Sequence, residues 1–430
     1  MSSAPAPTPA PRRPHPSRGP FRTGTAALLL LLTGVAAAPA APAAPLPAAV
    51  AAAPAPAAQD PVRQDPVRQE LVRQDLDPAT VARLDAAITA AMKKDAIPGV
   101  TVGLWMAGRG DYVKTFGVAD KQSGTPMKTD LYTRIGSVTK TFTVTAVLQL
   151  VDAGRIELDD PISMYVDDVP GGAGITVRQL AAMRSGLYNY TEDEKFLDAM
   201  RTDPQREFTP RQLLDYAFAH PANFEPGTKW EYSNTNTILL GLLLEEVSGQ
   251  PLGGHLREHV FDPLKLDDTS LPAGAAFPEP HAQGYTTFTP NGSLTEATGW
   301  NPSWAWAAGS AISTLEDLHA WVPALVDGRL LTPATQAQRM RTQSVGVPGV
   351  SYGLGIAEVH GWLGHNGELP GYETIAAHLP QQRATLVVLV NSDADRGGSY
   401  STTVGKAVTA IVTPDHVWDL PSPAQVGNNH

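Results

Sequence analysis

A serine and a lysine three positions apart are the residues of this chain best suited to nucleophilic chemistry. Ser137 and Lys140 lie in Gly136-Ser137-Val138-Thr139-Lys140, at the start of a predicted helix. Three residues make about one helical turn, so the two side chains share a face. A serine hydroxyl needs a base to take its proton, and burial lowers the pKa of a lysine toward that role. The same spacing also fits a serine that only caps the helix.

Tyr232 and Asn234 form a second candidate group, just before an apolar helix. A tyrosine hydroxyl near a cation ionises more readily and can shuttle protons. An asparagine can hold a substrate amide and steady the lysine. Taken alone, the stretch fits a helix-capping loop equally well.

His365 belongs to a third group, Gly364-His365-Asn366-Gly367, which we expect immediately before the strand that follows Gly371. A histidine at this point can polarise the hydroxyl of Tyr232, and Gly367 lets the backbone approach a substrate closely. A lone histidine is more often structural. The order and separation of the three groups together favour catalysis.

The elements that must position these residues are predicted from apolar periodicity and turn residues. The Ser-x-x-Lys pair starts a long, buried helix, and strands near both ends of the sequence suggest one sheet with an inserted helical lobe. The predicted strands are Val100–Trp105, Tyr112–Gly117, Glu373–Leu379 and Ala384–Asn391. The predicted helices include Thr139–Asp152, Val177–Met183, Pro210–His220, Thr237–Val247, Gly309–Ala324 and Val404–Val412, with a further one through Val81, Leu84, Ile88 and Met92.

Composition excludes several kinds of function. The 430 residues carry a net charge of -11, and beyond residue 60 there are 28 basic and 42 acidic side chains, which argues against nucleic acid or an anionic membrane as a partner. The absence of cysteine excludes disulfides, thiolate nucleophiles and cysteine-ligated metals. Eleven histidines occur without a His-Glu-x-x-His pattern, so we expect no metal and no cofactor.

The N-terminal region is predicted to be a secretory signal followed by a linker. Four arginines precede an apolar run from Ala26 to Ala38, which is shorter than the roughly 20 residues that span a bilayer. We therefore expect export and no stable membrane insertion, with an uncleaved anchor as the alternative. The expected boundaries are a signal and Ala/Pro-rich segment at 1–51 with cleavage at about 40–51, a disordered linker with a Gln-Asp-Pro-Val-Arg repeat at 52–75, a folded domain at 76–414 and a tail at 415–430.

Four further stretches accompany the three groups. They are Ile175-Thr176-Val177-Arg178-Gln179-Leu180, Ser185-Gly186-Leu187-Tyr188-Asn189-Tyr190, Ser303-Trp304-Ala305 and Tyr352-Gly353-Leu354-Gly355. With them, the chain from about Leu76 to Pro414 resembles the serine β-lactamases and penicillin-binding DD-peptidases, specifically the Streptomyces-type D-alanyl-D-alanine carboxypeptidases and class C β-lactamases. The resemblance implies an α/β (α+β) fold of the β-lactamase/transpeptidase type, with an antiparallel sheet flanked by helices and a helical lobe at about 166–299.

The resemblance also implies a role for each site residue. Ser137 would form an acyl-enzyme, Lys140 and Tyr232 would share acid and base duties, and His365 would tune Tyr232. Asn234 would contact the acyl side chain, and Trp304 resembles an aromatic pocket wall, although core packing explains it equally well. The backbone N–H groups of Ser137 and Glu368 would form the oxyanion hole. Which of Tyr232 and Lys140 is the base stays open.

The third group departs from the carboxypeptidases that the chain resembles. Those enzymes commonly have His-Thr-Gly-Thr, whereas here Asn366 and Glu368 replace the hydroxyls that bind a substrate carboxylate. An acidic side chain facing the pocket would repel that carboxylate, and Asn366 could instead bind an amide or ester oxygen.

Our first expectation is a secreted D-alanyl-D-alanine carboxypeptidase that acts on cell-wall peptides, with β-lactams as inhibitors or substrates. The alternatives are a class C-like β-lactamase, and an esterase or D-amino-acid amidase of the same fold. An alternative of another class is a non-catalytic module that binds penicillin or peptidoglycan. The presence of Ser137, Lys140 and Tyr232 favours an enzyme over that module.

Overall fold

The computed structural model describes residues 75–394 and 398–420. Its strands are β1 (Gly99–Met106), β2 (Gly110–Gly117), β3 (Thr133–Arg134), β4 (Tyr285–Thr286), β5 (Thr295–Glu296), β6 (Ile312–Ser313), β7 (Gln343–Ser344), β8 (Val350–Tyr352), β9 (Ala357–Val359), β10 (Trp362–Leu369), β11 (Tyr372–Leu379) and β12 (Ala384–Val390). Its helices are α1 (Pro78–Asp95), α2 (Thr139–Asp152), α3 (Val177–Ala181), α4 (Glu194–Thr202), α5 (Pro210–Phe218), α6 (Asn234–Ser248), α7 (Leu252–Leu256), α8 (Asp262–Leu264), α9 (Trp306–Gly309), α10 (Leu315–Asp327), α11 (Pro333–Arg339) and α12 (Tyr400–Val412).

One antiparallel sheet joins the two ends of the sequence, as predicted. Its eight strands run in the order β2-β1-β12-β11-β10-β9-β8-β7. Strand β1 pairs with β12 so that Val100 lies opposite Val390, and it also pairs with β2. The two predicted N-terminal strands and the two predicted C-terminal strands are therefore neighbours in one sheet.

Helices cover both faces of this sheet, and the alternation of side chains along each strand explains why. On β12, Val388 packs with α1 and α12, whereas Val387 packs with the cluster that contains α2 and α10. Successive strand residues point to opposite faces, so a run of apolar residues suits a sheet that is buried on both sides. Each fully buried valine or leucine contributes roughly 1.5–3 kcal/mol.

The lobe predicted at about 166–299 contains helices α3 to α8 together with the short hairpin β4–β5. Its central helix, α6, is apolar on most sides and contacts α2, α3, α5 and α9. This packing holds the start of α6 against the start of α2, which brings two of the three predicted groups together.

Helix α2 has the bounds predicted from the sequence, whereas the predicted helix Gly309–Ala324 is confirmed from Leu315 onward and is wrong before that residue. The chain leaves α9 at Gly309, forms β6 against β3, and starts α10 only after Thr314, whose side chain accepts a hydrogen bond from the N–H of Asp317. A short apolar run does not distinguish a strand from a buried helix by periodicity.

Three other expectations need correction. The third predicted group precedes β11, the strand that follows Gly371, but it lies inside a strand of its own, β10, which the sequence analysis did not predict. Trp418, which the sequence analysis placed in a C-terminal tail, is 1% exposed and packs in the core beside α12, where its backbone N–H donates to Thr409 Oγ1. Asp75, placed in the linker, forms an isolated bridge to Asp111.

The predicted signal, most of the linker and the last ten residues lie outside the described residues. Within 75–394 and 398–420, no helix is long and apolar enough to cross a membrane.

Candidate active site

Ser137 lies in a single 3₁₀ turn, Gly136–Val138, that leads directly into α2. Thr139 secures this junction, because its hydroxyl donates to Gly136 O at 2.7 Å and accepts from the N–H of Ala311 at 3.1 Å. Ser137 is half-buried, and Lys140 follows one turn later with no exposed surface. The nucleophile candidate therefore lies on a rigid element between the sheet and the lobe.

The ammonium nitrogen of Lys140 has three oxygen neighbours. Nζ lies 2.9 Å from Ser137 Oγ, 2.7 Å from Asn234 Oδ1 and 2.7 Å from the backbone oxygen of Ala308. A charged lysine would donate to all three. A neutral lysine would donate to Asn234 and Ala308 and accept the hydroxyl proton of Ser137, which is the arrangement that a base requires.

Burial decides between these two states. It lowers the pKa of Lys140 well below its usual value, because the ammonium loses its hydration. A lysine with a lowered pKa is neutral in a larger fraction of molecules and so can take a proton from Ser137.

Tyr232 approaches the same serine from the lobe, two residues before α6 begins. Its hydroxyl donates to Ser137 Oγ at 2.7 Å, and Lys140 Nζ lies 4.9 Å from the centre of its ring. Burial raises the pKa of Tyr232, and the negative charge of Glu368 raises it further. Tyr232 is therefore a protonated donor in this structure.

The stretch before α4 holds the second group in place. Asn189 accepts a hydrogen bond from the N–H of Asn234 at 3.0 Å, and the side-chain amide of Asn234 donates to Thr191 Oγ1 at 3.2 Å. This leaves Asn234 Oδ1 directed at Lys140. Asn189 was part of a stretch that the sequence analysis quoted without a role, and its contribution is positional.

The third group brings the backbone of β10 against the serine turn. A Cβ atom placed on Gly136 would lie 2.4 Å from Glu368 N and 2.8 Å from Glu368 O, and one placed on Gly367 would lie 3.0 Å from Ser137 N. Only glycine permits this approach, and Gly136 also has a φ of 51°. The N–H groups of Ser137 and Glu368 are thus neighbours, as an oxyanion hole requires.

The resemblance implied that His365 acts on Tyr232, but its ring nitrogens contact other groups. Its Nε2 lies 3.0 Å from the hydroxyl of Tyr352, and its Nδ1 lies 2.5 Å from Asn366 O. The rings of His365 and Tyr232 are 6.2 Å apart between centroids. Both ring nitrogens therefore bond elsewhere, so an influence of His365 on Tyr232 acts through space and not through a hydrogen bond.

The remaining predicted residues surround this centre. Trp304 is half-buried 6.0 Å from the ring of Phe196, and its backbone oxygen accepts from the hydroxyl of Tyr190 at 2.6 Å. This ring packs on the main core, which fits the packing alternative. Asn366 is half-buried, and Glu368 is exposed at the end of β10.

The sequence analysis did not identify two residues that contact the candidate catalytic side chains. Ala308 contributes only a backbone oxygen, which leaves no signal in a sequence. Tyr352 lies in a quoted stretch, but nothing local connects it with His365. In the described part of the chain, no group of three or more histidine, aspartate or glutamate side chains is arranged to hold a metal ion.

Residues 84–408 match a family described as Beta-lactamase. This chain belongs to the β-lactamase family. Two solved structures support the assignment over most of the domain. A D-stereospecific amidohydrolase from Streptomyces sp. is 34% identical, with a TM-score of 0.68 over 77% of this chain and 98% of the other. A D-amino acid amidase from Ochrobactrum anthropi SV3, complexed with D-phenylalanine, is 30% identical, with a TM-score of 0.68 over 76% of this chain and 98% of the other.

The predicted β-lactamase/transpeptidase fold is confirmed by these neighbours and by the antiparallel sheet with its flanking helices. Among curated relatives, PbpX of Bacillus subtilis, a penicillin-binding protein by name, is 28% identical over 65% of this chain. The match spans 66% of PbpX, and a match to protein flp of Staphylococcus aureus spans 63% of that protein.

Proposed function

We propose that this β-lactamase-family protein is an active-site-serine amidohydrolase that forms an acyl-enzyme on Ser137. One observation carries the proposal: the Oγ of Ser137 is contacted by both Lys140 Nζ and the Tyr232 hydroxyl, at 2.9 and 2.7 Å. A base and an acid on one nucleophile are what acyl transfer to and from a serine needs.

In acylation, the oxygen of Ser137 attacks the carbonyl carbon of the scissile amide while its proton moves to Lys140 Nζ. This direction follows from the charge states, because burial favours a neutral Lys140 and a protonated Tyr232. The ammonium that results keeps Asn234 Oδ1 and Ala308 O as acceptors. Lys140 is therefore the base of the proposed acylation step.

Release of the product uses Tyr232. Collapse of the tetrahedral intermediate breaks the C–N bond, and the leaving nitrogen takes the proton of the Tyr232 hydroxyl while Lys140 returns a proton to the tyrosine. Water then attacks the carbonyl carbon of the acyl-enzyme ester and gives a proton to Lys140. The bond between this carbon and Ser137 Oγ breaks as Lys140 passes that proton to Ser137 Oγ, which restores the serine hydroxyl. The N–H groups of Ser137 and Glu368 stabilise the oxyanion in both steps, by about 3 kcal/mol each.

The proposed substrate is an amide whose carbonyl belongs to a D-configured residue. The two similar structures named for D-stereospecific amidohydrolase and D-amino acid amidase support this class, since each aligns over nearly its whole length. Asn366 and Glu368 stand where the related carboxypeptidases bind a substrate carboxylate through hydroxyls. An amide or a short D-peptide with a neutral leaving group therefore suits the site better than a free C-terminal carboxylate.

A D-alanyl-D-alanine carboxypeptidase is the second candidate, and the similarity to PbpX favours it. The same acyl-enzyme would form, but the leaving group would be D-alanine, and β-lactams would acylate Ser137 as mimics of the peptide. A third substrate class, esters, is suggested by 31% identity over 205 residues to esterase EstB of Burkholderia gladioli.

The test compares D-phenylalaninamide with its L-enantiomer by ammonia release, in parallel with D-alanine release from diacetyl-Lys-D-Ala-D-Ala. Preferential hydrolysis of the D-amide supports the first candidate, and D-alanine release supports the second. The Ser137→Ala variant must lose turnover, whereas the exposed Ser163→Ala control must keep it. Absence of both amide hydrolysis and D-alanine release, together with no penicillin adduct on Ser137 by mass spectrometry, would refute both.

We also propose that the protein is exported, because of the arginines and apolar run near its N-terminus. Expression of the whole chain in an actinobacterial host, followed by N-terminal sequencing of protein from the culture medium, tests this. A mature N-terminus at about residues 40–51 is expected, and retention of the intact chain in the cells would contradict export.

A further inference from the structure

Two histidines in the lobe are four positions apart in the chain. They occur in His255-Leu256-Arg257-Glu258-His259, which has the residue types of the His-Glu-x-x-His pattern in reverse order. Both orders occur in metallopeptidases, where two histidines on one face of a helix bind zinc. So short a spacing also arises by chance, so the geometry of the two side chains must decide whether they can bind a metal ion.

The two imidazole rings lie close together at a break in the helix. His255 belongs to α7, and His259 belongs to the π turn Arg257–Phe261 that connects α7 with α8. Their ring centres are 4.3 Å apart, with 46° between the ring planes. If one nitrogen of each ring lay about 2.1 Å from a shared ion, the ring centres would be roughly 4.5–5 Å apart. A small rotation of His259, whose side chain is 42% exposed, therefore suffices for both rings to bind one ion.

Gln250 and Glu258 fix the position of the proton on His255. Gln250 Nε2 donates to Glu258 Oε2 at 3.1 Å, and a carboxylate only accepts, so the amide nitrogen of Gln250 must face Glu258. The amide oxygen, which also only accepts, lies 3.2 Å from His255 Nδ1. The proton of a neutral His255 is therefore on Nδ1, and Nε2 carries the lone pair that a metal ion needs. Metal-binding histidines are commonly oriented by such a hydrogen bond from their other nitrogen.

The charges around the pair permit a bound cation. His255 is 5% exposed, and burial lowers its pKa to about 4, with a further contribution from His259, so this ring is neutral at pH 7. A neutral imidazole is the form that binds metal ions. Glu258 Oε1 lies 3.7 Å from His259 Nε2 and supplies a negative charge, which offsets the positive charge that Arg155 exerts on His255.

We propose that His255 and His259 bind one divalent transition-metal ion, zinc or a similar ion, with water completing the coordination shell. Imidazole is a ligand that suits zinc, copper and nickel. Among the described residues, no cluster of three or more metal-binding side chains supplies a further ligand. Because only two ligands come from the protein, we expect a dissociation constant on the order of 10 µM, weaker than that of four-ligand zinc sites.

The proposed metal site is separate from the acyl-transfer centre. Gln149 Nε2, on α2, donates to the backbone oxygen of His259 at 3.0 Å, and Gln149 lies roughly 18 Å along this helix from Ser137. A bound ion would join α7 to the π turn that packs on α2, and it would not reach the substrate. The proposal therefore does not depend on the proposed acyl-enzyme function.

The test is equilibrium dialysis of the full chain, made without a polyhistidine tag, against ZnCl₂ at pH 7, with bound zinc measured by atomic absorption. The wild type is expected to bind one more zinc ion per chain than His259→Gln does. This variant is preferred to His255→Gln because His259 is the more exposed of the two rings. Gln250→Leu should weaken zinc binding about 10-fold or more, since loss of the hydrogen bond that orients a metal-binding histidine costs about 10- to 100-fold.

The matched control is His281→Gln. The ring of His281 also stacks on an aromatic ring, that of Phe277, and its Nδ1 lies 3.4 Å from Glu279 Oε2, but its stacking partner is not an imidazole. His281→Gln should bind zinc as the wild type does. Ser137→Ala should also bind zinc normally, whether or not the protein forms an acyl-enzyme.

Two outcomes would overturn the metal site. They are equal zinc binding by His259→Gln and the wild type, and no zinc bound to the wild type at 0.5 mM ZnCl₂. Unchanged affinity in Gln250→Leu would overturn the orientation assigned to His255.

Discussion

The side-chain oxygen of Asn234 lies 2.7 Å from the Nζ of Lys140, although the two residues are 94 positions apart in the chain. A neutral amide accepts a hydrogen bond from the lysine in either charge state. A carboxylate at the same distance would favour the ammonium form. Asn234 thus allows Lys140 to remain a base.

Asn234→Asp is therefore expected to raise the pKa of Lys140 and to move the acid limb of the kcat/KM profile to higher pH, by roughly one to three units. At pH 7 the activity should fall about 10-fold or more, since less of the lysine is neutral. A pH–rate profile measures this. Asn291→Asp, at an exposed turn whose side-chain oxygen is already an acceptor, should leave the profile in place. An unshifted profile for Asn234→Asp would exclude Lys140 as the base.

Tyr232→Phe keeps the ring beneath Lys140 Nζ and removes only the hydroxyl that donates to Ser137 Oγ. Loss of a general acid typically costs about 10²- to 10⁴-fold, so kcat should fall by that range while Tm changes little. Steady-state kinetics and thermal unfolding measure the two effects. Tyr165→Phe, which removes a hydrogen bond to Asp160 outside the site, should keep kcat. A Tyr232→Phe enzyme with normal kcat would rule out the proposed proton relay.

Gly136→Ala tests the oxyanion hole. The new methyl group would lie 2.4 Å from Glu368 N, so the strand or the serine turn must move. Displacement of one oxyanion donor is expected to lower kcat by about 10²- to 10³-fold. Gly254→Ala is the control, because nothing lies within 4 Å of a Cβ at this position in α7. Circular dichroism separates a folded, slow enzyme from an unfolded one. Full activity in Gly136→Ala would place the oxyanion donors elsewhere.

Asp393 follows β12 and contacts the turn between β10 and β11, where its titration makes the free energy of unfolding depend on pH. Its carboxylate accepts from the N–H of Gly371 at 2.8 Å and the hydroxyl of Thr286 at 3.1 Å, but loss of solvent dominates and raises the pKa to about 7. Because this pKa exceeds the usual value of 3.8, the folded state binds the proton more tightly than the unfolded state does. The stabilisation of the folded state by this bound proton is present below pH 4 and is lost as the pH rises through 7.

Asp393→Asn removes this titration, so its Tm should decline less between pH 5 and pH 8 than that of the wild type. Thermal unfolding at several pH values measures the difference. The exposed Asp130→Asn should follow the wild-type curve. Parallel curves for Asp393→Asn and the wild type would show that Asp393 does not carry the pH dependence.

Local sequence patterns were sufficient for the main elements. Helix α2 begins and ends where its apolar composition and the glycine at 154 predicted, and β1, β2, β11 and β12 match their predicted strands within one or two residues. These features depend on short-range periodicity and turn residues, which are readable without a partner. The three motifs and the four further stretches similarly sufficed to show a resemblance to the β-lactamase family, which the family match confirms.

The stretch Ser310-Ala311-Ile312-Ser313-Thr314 shows where this information ends. Nothing local distinguishes β6 from a helical turn, because β6 forms by pairing with distant residues: with β3, about 180 residues earlier in the chain, and through a bridge from Ile312 to Ser270. For the same reason Trp418 looked like part of a tail until the tertiary structure placed it beside α12.

From the sequence alone, Ser137 and Lys140 could be nominated because their types suit acyl transfer and their spacing suits a helix start. Tyr232 and His365 could be nominated from their types and from the family resemblance. Only the tertiary structure decided their partners: Ala308 O and Asn234 for Lys140, and Tyr352 in place of Tyr232 for His365. A hydrogen bond between distant residues requires that packing bring two atoms within about 3 Å, and that distance is set by the whole core and not by any local pattern.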